Sequence, residues 1–129
     1  MDDFDATHEA NKAFCRNLAV KFPALPPILK KNLEDEDGDL NTYLFASAVV
    51  EWAEANVVSR ESDVMQLLAA LNQGLAEGER EVPNFIAVGF GESISHETPL
   101  LPFLQGDLKG WYEYDVGISD EHPRLRSGN

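Results

Sequence analysis

Positive charge is scarce in this chain. Ten Lys and Arg stand against 23 Asp and Glu, giving a formal net charge of −13. Such a surface repels phosphate backbones and anionic bilayers, so neither nucleic acid nor a membrane is an expected partner. Cysteine is scarcer still. The lone thiol, Cys15, has no second cysteine for an internal disulfide or a CxxC pair, and beside the ridge Ala10, Phe14, Leu18 it reads as core filler. No run approaches the ~18 apolar residues of a membrane helix. The opening MDDFDATHEA has neither the basic start nor the apolar stretch of a secretion signal. Together these absences predict a cytoplasmic protein.

Catalytic signatures are missing as well. There is no GxSxG and no phosphate-cradling GxxxxGK(S/T), and Gly89-Phe90-Gly91 lacks the third glycine and the preceding strand of a nucleotide loop. Glu92 and His96 are spaced i, i+4, which is half of a metal site on a continuous helix; the HExxH pattern needs a second histidine. His8 and His122 lie in the terminal regions. The acidic run Glu34–Asp39 is not a calcium loop: with Gly38 at the turn position, Leu33 and Leu44 fall where ligand oxygens are required. The expectation is therefore a protein that is not an enzyme, with no catalytic residues, no metal and no cofactor.

What is present is helical patterning. At 129 residues and 43% hydrophobic content the chain suits one compact domain with a real core. Ala10, Phe14 and Leu18 mark a first helix from near Thr7 to Lys21, with Asp5 or Thr7 as its cap. Leu25-Pro26-Pro27 resets the backbone before a short helix carrying Ile28, Leu29 and Leu33. Asp39 is the expected cap of a strongly apolar helix from Leu40 to about Val57, whose polar strip is Ser47, Glu51 and Glu54. Ser59 is the expected cap of the next, which places Val64, Leu67, Leu68, Leu71 and Leu75 on one face and stops at Gly78.

The stretch from Val82 to Gln105 organises the rest. Pro83 suits a first helical turn, and Phe85, Ile86, Gly89, Phe90 and Ile94 share one side of a 3.6-residue period. Gly89 in that stripe predicts the close approach of a neighbouring helix. His96 to Pro99 ends this element, and Trp111–Val116 is compatible with a helix end, a short strand or a loop. The fold class is all-α: a single-domain antiparallel helical bundle over residues 1–116, or stacked helix pairs of the HEAT type, followed by a loosely ordered tail at 117–129.

Asn84-Phe85-Ile86-Ala87-Val88-Gly89-Phe90-Gly91-Glu92-Ser93-Ile94 resembles the Asn-(Leu/Phe)-Ile-x-Val-x-Phe-x-Glu-x-(Leu/Ile) stretch of a family of small bacterial helical proteins of unassigned function. Gly91 stands where that pattern often has a bulkier side chain. Small acidic proteins of this kind resemble the immunity proteins of polymorphic toxin systems, including contact-dependent inhibition and type VI secretion. The resemblance implies a protein that binds and neutralises a cognate toxin domain in the cytosol by covering its active site or substrate groove. Asp35, Glu36, Asp37 and Asp39 would then steer a basic toxin, with Glu92 as a further contact and Trp111, Tyr112 and Tyr114 as anchors. A helical adaptor or chaperone for a secreted protein is the alternative, and a small hydrolase built from dispersed carboxylates is a third reading.

Overall fold

The computed structural model describes residues 3–79 and 81–117, and no strand occurs among them. The expected tail lies outside the described residues except for Gly117. The elements are α1 (Asp3–Lys21), α2 (Pro26–Asp35), α3 (Thr42–Asn56), α4 (Glu61–Glu77), α5 (Val82–Phe85 with its continuation to Ser93) and α6 (Gly106–Asp115). A single 3₁₀ turn, Leu101–Phe103, joins α5 to α6. Among the described residues no helix is long and apolar enough to cross a membrane.

Four helices, α1, α3, α4 and α6, pack on α5 and its continuation, while α2 packs on α1 and α3. It opens as an α-helix with Pro83 in its first turn, widens to a π-helix over Ile86–Phe90, and tightens to a 3₁₀ turn over Gly91–Ser93. The Gly91 N–H reaches back to the carbonyl of Ile86, the five-residue step of a π-turn. The same N–H also reaches Ala87 O, and one turn on the Ser93 hydroxyl donates to Gly89 O at 2.6 Å. Gly89 does what its place in the apolar stripe predicts. A methyl built on it would stand 2.9 Å from Cε1 of Phe85 and 3.3 Å from the Cβ of Ala46, so the missing side chain leaves room both for the Phe85 ring and for the close approach of α3.

Aromatic rings run through the centre from α1 to α3. Phe14 meets Phe90 edge-on at 6.3 Å, Phe90 meets Phe85 at 5.6 Å, and Phe85 meets Tyr43 at 5.2 Å. Around them the α4 stripe Val64, Leu67, Leu68, Leu71 and Leu75 is buried as its spacing predicts. In a solenoid each helix pair touches only its neighbours along the chain. Here α1 packs directly on α5, so the architecture is a bundle wrapped around one late helix.

Several helix ends differ from expectation. α1 begins at Asp3, which puts Asp5 and Thr7 inside it. α3 starts at Thr42, which makes Asn41 its cap: the Asn41 side-chain oxygen accepts from the Leu44 N–H at 3.1 Å, while Asp39, two residues earlier, holds Lys12. α4 has Arg60 at its cap position with no side-chain cap, and the Ser59 hydroxyl turns back to Asn56 O. Trp111–Asp115 is helix, the end of α6. The start of α6 is capped from outside: Asn72 on α4 accepts from the Leu108 N–H at 2.9 Å and donates to Gln105 O at 2.9 Å.

Candidate protein-interaction surface

The acidic loop after α2 is held on a rigid frame. Asn32 and Asn41 bond reciprocally, Asn32 Nδ2 to Asn41 O at 3.0 Å and the Asn41 N–H to Asn32 Oδ1 at 2.9 Å. Asn41 Nδ2 also donates to Glu36 at 3.1 Å. α2 closes with the Gly38 N–H on Leu33 O, and the turn is made possible by positive φ at Asp37 (54°) and Gly38 (86°). Lys12 reaches across from α1 to Asp39 at 2.8 Å, and Lys31 pairs with Asp35 at 3.1 Å. Of the predicted acidic contacts, Asp35, Asp37 and Asp39 are exposed, while Glu36 is half-buried and partly committed to Asn41.

The remaining predicted residues gather elsewhere, where α6 packs on Gly91–Ser93. Glu92 is exposed on that turn. Because the helix ends at Ser93 and Ile94 is extended, Glu92 and His96 no longer share a helical face. Among the described residues no group of three or more His, Cys, Asp or Glu is placed to hold a metal. Trp111 is half-buried and stacks edge-on with Tyr114 at 6.3 Å. Tyr112 is a correction to the expected anchors: it is 2% exposed, and its hydroxyl donates to His96 O at 2.7 Å. Its ring belongs to the core because Leu108 and Tyr112, four apart, form the inward face of α6. The structure thus brings Glu92, Trp111 and Tyr114 to one region and the acidic loop to another.

A feature not anticipated from the sequence lies beside that loop. α1 and α2, joined by the tight turn at Phe22–Leu25, leave between them an open groove of about 890 Å³. Its apolar lining comes from Ala19 and Val20 on α1 and from Pro26, Leu29 and Leu33 on α2. Arg16 enters from one wall and Lys30 from the other, and Glu34 and Gly38 bring the groove to the edge of the acidic loop. Val20 is 85% exposed, an apolar side chain outside the Ala10, Phe14, Leu18 ridge. That displaced valine was the available signal, but the groove depends on how two helices pair, which periodicity does not report. Behind the same wall Cys15 is fully buried, and burial pushes its thiol up to about 12 while the neighbouring Arg16 charge pulls weakly the other way. It is an inert core thiol.

A family model described as a domain of unknown function, DUF7674, matches residues 15–116. The chain belongs to this family. The matched span of the DUF7674 domain takes in the groove, the acidic loop and the α6 aromatic pair. No curated protein and no solved structure matches the chain.

Proposed function

We propose that this DUF7674 protein acts by occupying another protein, as an immunity protein that binds a toxin domain and blocks its active site or substrate groove. The observation that carries the reading is the adjacency of two surfaces with different physical roles. Asp35, the last residue of α2, and Asp37 and Asp39 on the braced loop after it are exposed, and the apolar groove between α1 and α2 begins at that loop's edge. Exposed carboxylates accelerate encounter with a basic partner, and an apolar trough beside them supplies area that loses water on contact. Trp111 and Tyr114 offer a second, aromatic contact region on α6.

The test is capture of partners from the native host by the full chain, followed by expression of the partner's isolated domain with and without this protein. Growth arrest by the domain alone, relieved on co-expression, supports the immunity reading. A stable complex with a non-toxic secreted protein favours the adaptor reading instead, to which the open groove lends specific support because escort proteins must hold an exposed segment.

A further inference from the structure

Charge in this chain is distributed very unevenly. Residues 10–33 carry Lys12, Arg16, Lys21, Lys30 and Lys31 and no acidic residue, half of the 10 cations in a chain of net charge −13. That segment builds both walls of the α1–α2 groove. Lys12 and Lys31 are engaged by Asp39 and Asp35, whereas Arg16 and Lys30 face the groove from opposite sides with no ion pair among the described residues. The apolar lining between them is partly open to solvent: Val20 is 85% exposed, Leu29 and Leu33 are half-buried, and Ala19 lies buried beneath.

We propose that this groove is the docking site for an amphipathic helix of the bound protein, one whose apolar stripe is flanked by acidic side chains. The inference rests on the reading that the protein functions by binding a partner. A helix laid in a trough presents side chains at i, i+3, i+4 and i+7 to the floor and its flanking positions to the two walls. Carboxylates at those flanks meet Arg16 on one side and Lys30 on the other. Glutamate or aspartate there gains charge-assisted contact, and lysine there meets like charge. At the loop end of the groove, Glu34 sets the direction, with Asp37 exposed next to Gly38: they favour the helix N-terminus, which carries partial positive charge. The local preference for acidic flanks opposes the attraction expected from the net charge, so the two effects separate experimentally.

The experiment is an NMR titration of the ¹⁵N-labelled full chain with two model helices of about 20 residues, sharing one leucine stripe and differing in flanks of glutamate or lysine. The salt is set near 0.15 M so that distant charges are screened within about 8 Å. The glutamate-flanked helix is expected to shift the amides of Ala19, Val20, Leu29 and Leu33 saturably and to bind about tenfold more tightly than its lysine twin, a difference of about 1.4 kcal/mol. Arg16→Glu with Lys30→Glu should invert that order, and Val20→Glu should abolish groove shifts with both helices. All three side chains are exposed, so the variants keep the fold, checked by thermal unfolding. The proposal is overturned if neither helix shifts the groove amides, if the lysine helix binds there more tightly, or if the groove is filled by a second copy or by residues 118–129. Sedimentation detects the second copy, and a chain ending at Gly117 detects the segment by new groove shifts. Toxin protection that survives Arg16→Glu/Lys30→Glu keeps the immunity reading and removes the groove from it; docking without any protection does the reverse.

Discussion

Gly74 and Ile86 meet where α4 lies against α5: a methyl built on Gly74 would overlap the Cδ1 of Ile86 and stand 2.8 Å from Cε1 of Phe14. In an isolated helix Gly74→Ala would gain about 1 kcal/mol. In this packed position overpacking costs about 1–3 kcal/mol, so the variant should be destabilised in urea unfolding. Adding Ile86→Val removes the offending methyl and should recover part of the loss, a coupling above about 0.5 kcal/mol in a double-mutant cycle. Strict additivity of the two substitutions would mean that α4 and α5 do not pack through this pair.

Tyr112 ties α6 to the segment that follows α5. Its hydroxyl holds His96 O, and from the other side Glu54 on α3 accepts from the Ser95 N–H at 3.0 Å and from its hydroxyl at 2.9 Å. Tyr112→Phe should cost about 1 kcal/mol and raise amide exchange around Ser95–Glu97 while leaving the rest of the core protected. Tyr112→Ala, which also empties a core position, should cost about 3–5 kcal/mol. Equal losses for the two variants would show that the ring carries none of the packing.

The helices that bury a regular face were legible in advance because periodicity reports burial directly: Val64, Leu67, Leu71 and Leu75 of α4, and Phe85, Ile86 and Phe90 of α5. α6 was not, since only Leu108 and Tyr112 among its residues are buried, too few for a stripe. Caps misled at Asp39 and Ser59 because short polar side chains compete for partners in space. Asp39 holds Lys12, 27 positions away, and α3 starts two residues later than expected, with Asn41 as its cap. The π-turn at Ile86–Phe90, packed on α3, has no local pattern that announces it. Of the candidate contacts, the acidic loop could be read from its composition, whereas the groove beside it required the pairing of α1 with α2.

Cys15 makes pH a reporter of core integrity. Its thiol ionises near an ordinary 9.0 in the unfolded chain and is pushed up to about 12 by burial in the fold. Between those values the unfolded state has lost a proton that the folded state retains, so stability falls as pH rises. The contribution is fully present below pH 9.0 and is lost progressively toward about 12. Cys15→Ala should weaken the protein at neutral pH by about 1 kcal/mol through the lost packing, yet flatten this alkaline decline. At pH 8 a maleimide should label the native chain only as fast as it opens. Rapid stoichiometric labelling without unfolding would contradict the buried placement of this thiol.

The acidic loop offers a graded test of steering, because its carboxylates are not equivalent. Asp35 is paired with Lys31, Asp39 with Lys12, and Glu36 accepts from Asn41, whereas Asp37 projects at the turn's tip with φ of 54°. Asparagine tolerates that left-handed backbone as aspartate does, so Asp37→Asn removes charge without disturbing the turn. Neutralising Asp39 also releases Lys12, which confounds it. With the captured partner, Asp37→Asn should lower the association rate about threefold at low salt and have little effect on dissociation. The difference should shrink as ionic strength approaches about 0.15 M. Asp35→Asn should act more weakly, since Lys31 already offsets its field at 3.1 Å. An association rate indifferent to both substitutions at low salt would place the partner's approach on another face, leaving Trp111 and Tyr114 as the contacts to vary next.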